Sequence, residues 1–400
     1  MRKLLPIFII LIVVAGLVWW WADRGGQDAT AQASLLPLLS EEDAGAFARA
    51  TEPGAISFPE DLGPHPDYQT EWWYYTGNLQ TADGRRFGYQ LTFFRRAIGD
   101  PRLEIGDRRS EINLQLPISN LRSDWRTDQI YLAHFTVSDI DGEGFYPAER
   151  FSRGAAGLAG ARAEPYHVWL ENWYARQVEP GVVRLFAESE QATLDLTLTE
   201  TLPPILHGDE GLSPKGPEPG NASYYYSIVR QETEGMVTVG GQQFQVTGLS
   251  WKDHEYSTSA LSPGAVGWDW FSLQLDNGAA LMFFQIRRED GALQPESSGT
   301  FVLPDGSTRH IPLSEWNVEV TGTWTSPHSG ATYPAAWRIS IPALELELEG
   351  RALLADQELN VSTTYWEGAV QFSGAWQGEP VSATGYIELT GYAETMEGRI

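Results

Sequence analysis

Not one of the 400 residues is cysteine. That absence removes disulfides, thiolate nucleophiles, Cys-ligated zinc and a lipid-modified N-terminal Cys together. Basic residues are scarce as well: 27 Lys and Arg stand against 53 Asp and Glu, for a formal net charge of −26. Such a surface repels nucleic acid, and no basic stripe offers a phosphate path, so no nucleic-acid partner is expected. The seven histidines, at 65, 134, 167, 207, 254, 310 and 328, form no HxH or HExxH pair. A metal site therefore has no local signature. There is no G-x-S-x-G elbow and no Walker loop either, so ordinary hydrolase and nucleotide motifs are missing. Helical periodicity is nearly absent. The one short candidate is "SEEDAGAFARA", Ser40–Ala50, with Ser40 as its cap.

Apolar and aromatic residues are abundant, at 42% and 12%, enough for sizeable cores. Four hundred residues make two domains the default. At the N-terminus, Arg2 and Lys3 precede an uncharged stretch from Leu4 to Trp21 that ends in Trp19, Trp20 and Trp21. That length only just spans a bilayer, and the tryptophans fall where an interfacial belt would lie. An uncleaved anchor over residues 4–21 is expected, with the body exported to the periplasmic or extracytoplasmic side. The triplet Ala31-Gln32-Ala33 keeps a cleaved signal peptide in view. Residues 1–26 are thus read as anchor or signal peptide and 27–56 as an acidic, Ala-rich tether.

Past Phe58 the pattern is β. "QATLDLTLTE" and "LELELEG" alternate apolar and polar residues, while "GRRFGYQLTFFRRAIGD" and "GAALMFFQIRREDG" are apolar strands between Gly and Asp turns. An internal echo divides the body. "EWWYYTGNLQTADGRRFGYQLTFFRR" (Glu71–Arg96) resembles "GWDWFSLQLDNGAALMFFQIRR" (Gly267–Arg288), each with a tight-turn dipeptide, Asp83-Gly84 or Asn277-Gly278. Two related β domains are expected, over 57–235 and 236–400. The turn-rich loop from His207 to Gly220 is expected to lie over a mouth or between them.

The densest polar and aromatic cluster is "GLSWKDHEYSTSALSPGAVGWDWFSLQL". On an extended strand, Trp251, Asp253 and Glu255 share one face, and His254 and Tyr256 share the other. Trp268 and Trp270 project together, opposite Asp269. A carboxylic acid among aromatic rings loses hydration, so its pKa rises into the range of a general acid. The rings would stabilise a developing cation through their faces. Asp253, His254 and Asp269 are the catalytic candidates on this pattern. Buried acids and histidines at strand ends also close backbone hydrogen bonds, and His134 in "YLAHFTVSD" reads first as a satisfied structural histidine. Glu71, Trp72, Trp73 and Tyr74 open the aromatic strand that precedes the first turn. Neighbouring residues of a strand point to opposite faces. One of Trp72 and Trp73 should therefore pack the first barrel while the other meets the junction or a ligand. Trp268 and Trp270 should do the same for the second domain.

"GPHPDYQTEWWYYTGNL", "YLAHFTVSD", "RFSRGAAGLAG", "HGDEGLSPKG", "SYYYS", "WKDHEYSTS", "GWDWFSLQLDNG" and "GYIELTGYA", in that order, resemble the AttH-like proteins, which are grouped with the carotenoid 1,2-hydratase (hydroxyneurosporene synthase) superfamily. The resemblance covers about Ser57 to the C-terminus. It implies an all-β protein of two tandem lipocalin-like β-barrels, holding a hydrophobic, isoprenoid- or lipid-like small molecule. It implies cofactor-independent chemistry, since members resembling the hydratase add water across a terminal double bond by protonation and capture of the cation. Other relatives catalyse ring closure or are grouped as secreted hydrolases. Against the hydratase motif Asp-His-Asn-Trp, Asp253 and His254 match. Glu255 replaces the Asn, Tyr256 replaces the Trp, and Asp269 is the candidate downstream acid. The ligand-binding set expected is Glu71, Trp72, Trp73, Tyr74, His134, Trp251, Tyr256, Trp268 and Trp270. A non-catalytic lipid carrier or chaperone is the alternative, and a carbohydrate-binding β protein is the third.

Overall fold

The computed structural model describes residues 47–98, 127–258 and 261–397. The apolar segment 4–21 and most of the tether lie outside them, and of the expected Ser40–Ala50 helix only the non-helical end from Phe47 to Ala50 is described. Among the described residues no helix is long and apolar enough to cross a membrane.

Thirteen strands form the first sheet. They are β1 (Thr70–Gln80), β2 (Arg86–Ala97), β3 (Gln129–Asp139), β4 (Gly144–Arg153), β5 (Ala159–Arg162), β6 (His167–Leu170), β7 (Trp173–Glu179), β8 (Val182–Glu188), β9 (Ala192–Glu200), β10 (Ile205–Leu206), β11 (Leu212–Pro214), β12 (Ala222–Val239) and β13 (Gln242–Ser257). The second sheet holds β14 (Ala265–Leu275), β15 (Ala280–Arg288), β16 (Ser298–Val302), β17 (Thr308–Pro312), β18 (Asn317–Thr325), β19 (Thr332–Ile341), β20 (Leu346–Ala352), β21 (Glu358–Asn360), β22 (Thr364–Trp376) and β23 (Glu379–Leu389). The first is a nearly closed barrel and the second a half-barrel, both lipocalin-like.

The echo in the sequence is an echo in topology. The first sheet runs β4-β3-β2-β1-β13-β12-β9, and the second runs β17-β16-β15-β14-β23-β22-β20, so each opening strand pairs with the last strand of its own sheet. Glu71, Trp72 and Trp73 oppose Arg95, Phe94 and Phe93, just as Asp269, Trp270 and Phe271 oppose Gln285, Phe284 and Phe283. Gly84 and Gly278 take φ of +90° and +93° at the two hairpin turns, a region that glycine enters freely.

The change of sheet falls between Ser257 and Ala265, not at the expected 235/236 boundary, which lies inside β12. β12 and β13 pair with each other, and β13 pairs with β1 while β12 pairs with β9. The first sheet needs both strands to come round. In β12 the register slips by one residue between Ile228 and Gln231. That bulge flips the side-chain parity. Tyr225 and Val229 face the second sheet, whereas Val237 and Val239 fill the first barrel.

Alternation also sorts β1. Trp73, Tyr75 and Leu79 enter the first barrel core, while Trp72 and Tyr74 join a separate cluster at the seam between the sheets. The two tryptophans thus divide as expected. The second pair differs: Trp268 and Trp270 both face the seam, and Phe271 takes the place in the second core. The cause is spacing, because Trp268 and Trp270 are two residues apart and Trp72 and Trp73 only one.

Candidate functional site

The seam brings together groups that are far apart in sequence. Strands β22 and β23 place Glu367 directly opposite Glu388, so two like charges share one face. Glu367 is fully buried, and Glu388 is half-buried with dense protein around it. Burial first, then the charge of Glu388, holds Glu367 well above the usual carboxylate range. Burial raises Glu388 to about 7. Two carboxyls so placed cannot both ionise cheaply, and they titrate as a pair that holds a proton near neutrality. Tyr74 Oη, reaching across from β1, donates to Glu367 Oε1. Trp268 Nε1 donates to Glu388 Oε1 at 2.6 Å.

Asp253 supplies a third carboxyl from β13, and its charge reaches Glu367. Its burial raises the pKa to about 7 against three donors: Ser227 Oγ, Tyr225 Oη at 2.6 Å and Trp251 Nε1 at 2.6 Å. Tyr225 Oη in turn accepts from Trp270 Nε1 at 2.9 Å. Behind Ser227 stands His207, with Nε2 2.6 Å from Ser227 Oγ and Nδ1 2.9 Å from Thr300 Oγ1. Burial lowers the His207 pKa to about 3, so the ring is neutral. Three indole N–H groups, of Trp251, Trp268 and Trp270, are therefore spent on the acids and hydroxyls of the seam. Lys215, from the His207–Gly220 loop, lies over this seam. Its Nζ is 3.0 Å from Glu255 Oε1 and 3.9 Å from the ring centre of Phe284.

The structure does not gather the predicted catalytic trio. Asp253 faces the seam, as alternation requires. His254 faces the first barrel, where its ring stacks on Trp73 with centres 4.9 Å apart. Asp269 points to the far side of β14, and its burial raises its pKa while Arg287 lowers it. Arg287 Nε at 2.8 Å, Gln285 Nε2 at 2.6 Å and Tyr392 Oη at 3.0 Å saturate it. It occupies the position in its sheet that Glu71 holds in the first, and both are acids tied to an arginine. Of the predicted binding residues, Trp72, Tyr74, Trp251, Trp268 and Trp270 meet at the seam. His134 also reaches the second sheet, through Nδ1 to Tyr365 Oη at 2.7 Å, but its Nε2 is held by Glu149 at 3.1 Å, and it bridges the sheets.

Glu71, Trp73 and Tyr256 belong instead to the plugged end of the first barrel. Glu71 Oε1 lies 2.7 Å from His65 Nδ1 and 2.8 Å from His254 Nε2, and Oε2 accepts from Arg95 Nε at 2.7 Å. His65 Nε2 meets Asp61 at 2.6 Å, and His254 Nδ1 meets Tyr226 Oη at 2.9 Å. Arg95 Nη2 and Trp73 Nε1 fasten the preceding segment by donating to the carbonyls of His65 and Leu62. Donor atoms of His65, Glu71 and His254 lie within 4.8 Å of one another, as a metal's ligands would. Each is already engaged, however, and the Arg95 guanidinium supplies the charge a cation would bring. The chemistry of the set is that of a closed ion network.

Sequence reading missed Glu367, Glu388, Tyr225, Ser227 and His207. The signal was present in "TYWEGAV" and "GYIELTG", where an acid sits in an otherwise apolar and aromatic strand. What the seam offers chemically is a proton held among aromatic faces, with carboxylates able to take it back.

A family model described as AttH-like matches residues 49–392. A Nitrosomonas europaea crystal structure assigned as AttH is similar at a TM-score of 0.73 and 34% identity, covering 86% of this chain and 100% of that one. Kievitone hydratase from Nectria haematococca shares the fold at a TM-score of 0.63 and 16% identity, covering 87% of this chain and 98% of that one. The dehydratase asqC of Emericella nidulans is 22% identical over 219 residues, 52% of this chain. That alignment spans only 60% of the dehydratase.

Proposed function

This chain belongs to the AttH-like family, and from that premise we propose that it is a cofactor-independent acid–base enzyme of the hydratase or dehydratase type, acting on a small lipophilic molecule at the seam. The observation that carries the reading is the cross-strand pair Glu367 and Glu388, set beside Tyr74, Trp268 and Trp270. A catalytic acid for an isolated double bond must keep its proton at neutral pH, and this pair does. In hydration the protonated member gives its proton to one alkene carbon. The faces of Trp268 and Trp270 stabilise the cation, and water attacks the other carbon. The water's spare proton returns to the carboxylate, so the pair ends as it began. Dehydration is the same path reversed, with the hydroxyl leaving as water. Asp253 serves as the second acid or base, and Tyr225 and Trp251 orient it. A dehydratase and a hydratase among the similar proteins support the reading.

The test is isotopic. Purified protein is incubated in D2O with a lipophilic extract of its own host, and products are read by mass spectrometry. A product carrying one carbon-bound deuterium and one added water, lost in Glu388→Gln and Asp253→Asn, is expected. Equal labelling by the variants would overturn the assignment. A lipid carrier is the second reading. The three donors that enclose Asp253 favour it, since they leave that carboxyl little freedom. Recovery of the bound molecule unchanged would support it.

We also propose that the body works outside the cytoplasm, held to the membrane through residues 4–21. Arg2 and Lys3 precede that apolar stretch and Trp19–Trp21 close it, as an anchor requires. Membrane fractionation, with protease added to spheroplasts whose inner membrane is intact, tests this, and protection of the body would count against it.

A further inference from the structure

The outer face of the first barrel carries a basic row. In β5 to β8 one parity of side chains, Val168, Leu170, Ala175 and Leu185 among them, fills the barrel core. The other parity points outward. There the register sets Arg162 opposite His167, His167 opposite Arg176 and Arg176 opposite Arg184. Directly opposed like charges destabilise a sheet, and this chain has only 27 basic residues to place against 53 acidic ones. Arg184 is answered by Asp195 at 2.7 Å. Among the described residues Arg162 and Arg176, both exposed, have no carboxylate within the 4.0 Å of an ion pair. His167 lies between them. Burial, then Arg162 and Arg176, lower its pKa to about 4, so the ring is neutral.

An aromatic row runs beside it. Trp169 opposes Tyr174 and Tyr174 opposes Phe186, each two residues along its strand from the basic row. The Trp169 ring stacks on His167 with centres 4.5 Å apart, and the Arg176 guanidinium lies 4.7 Å from the ring centre of Tyr174. Trp169 Nε1 already donates to the carbonyl of Gly157 at 3.0 Å, which leaves the ring an apolar surface. Leu158, just before β5, and Val178, in β7, extend the patch beyond the two rows and are 40% and 49% exposed. Water rewards neither the opposed arginines nor the exposed apolar groups.

We propose that this face lies on an anionic phospholipid bilayer, with Arg162 and Arg176 on lipid phosphates and Trp169 and Tyr174 at headgroup depth. A guanidinium meets a phosphate with two parallel N–H donors, which suits exposed arginines that have no carboxylate of their own. Aromatic rings set level with cationic groups are the composition of a membrane interface. A soluble polyanion would answer the arginines alone. The formal net charge of −26 turns the rest of the surface away from anionic lipid, so this face fixes one orientation. The proposal concerns how the body lies, and it uses neither the seam nor residues 4–21.

Arginine footprinting with phenylglyoxal tests it, on the purified full-length protein with nanodiscs of phosphatidylcholine alone or mixed equally with phosphatidylglycerol. Arg162 and Arg176 are expected to label about tenfold more slowly with the mixed discs, roughly the preference two arginines gain at such a surface. Arg351, exposed on the second sheet, should label equally with both. Arg176→Gln should return Arg162 most of the way to its rate on phosphatidylcholine. Equal labelling of Arg162 and Arg176 on the two discs, slowing shared by Arg351, or the same slowing by glycerol phosphate in solution would overturn the proposal. The wild-type comparison needs no variant. Co-elution with the phosphatidylcholine discs reads the anchor by itself, so its failure is not mistaken for failure of the patch.

Discussion

Glu367 and Glu388 face each other across antiparallel strands with both carboxyls on the seam. Directly opposed like charges destabilise a sheet, so this barrel carries a cost that packing alone would have removed. Tyr74 and Trp268 approach the pair from either side and fix where its proton can sit.

Replacing one member by its amide should separate stability from activity. In Glu388→Gln the amide can donate to Glu367 while its oxygen still accepts from Trp268. At pH 8 the variant should be more stable by about 1 kcal/mol, roughly 2–4 °C in Tm, and the gain should vanish at pH 5. Calorimetry at the two pH values decides, and a loss of stability at both would refute the shared proton.

The raised pKa of Asp253 has a definite sign in stability. Its folded value of about 7 exceeds the ordinary value of 3.8. Between those values the folded chain holds a proton that the unfolded chain has released, so stability from this group falls as pH rises through that window and is level above it. Urea titrations of wild type and Asp253→Asn between pH 4 and 8 should diverge in slope, the variant falling less steeply. Parallel curves would show that Asp253 titrates as in water.

Tyr225→Phe removes a single oxygen and leaves both Trp270 Nε1 and Asp253 Oδ2 without a partner. A destabilisation of about 2 kcal/mol is expected, with the acidity of Asp253 weakened because a donor to its charged form is gone. Denaturant unfolding gives the first quantity and the pH profile of turnover the second. A cost below about 0.5 kcal/mol, the range of an inert surface change, would mean the network is looser than its geometry.

At the barrel plug, Arg95→Met would strand the buried Glu71 carboxylate, which Arg95 and two histidines hold well below the usual carboxylate range. The loss should be about 3–5 kcal/mol. Adding Glu71→Gln should recover part of it, since the stranded charge is then removed. A double variant no better than the single would place the cost in lost packing.

The sequence pattern made the strand faces legible. Alternation in "WKDHEY" separates Trp251, Asp253 and Glu255 from His254 and Tyr256, and the seam and the barrel divide them that way. The duplication was legible from two hairpins, Glu71–Arg96 and Gly267–Arg288, and the topology repeats it. Alternation says which face a residue takes but not what comes to meet that face. Glu367 and Glu388 therefore escaped notice, because pairing of β22 with β23 alone makes them neighbours. Asp269 misled for the related reason that an acid between tryptophans looks the same whether it meets a ligand or an Arg287 on the next strand. The sheet boundary was missed because β12 changes parity at its bulge, and periodicity reads such a change as an ending.

That bulge makes β12 a reading frame of its own. Deleting one residue between Ile228 and Gln231 would restore an unbroken ladder with β13 and exchange inside for outside along half the strand. Either Val237 and Val239 would leave the first core, or Tyr225 and Ser227 would abandon Asp253 for the barrel. A single codon thus holds the phase between the seam that holds a proton and the interior of the first barrel. Length variation there should be purged even where substitution is tolerated.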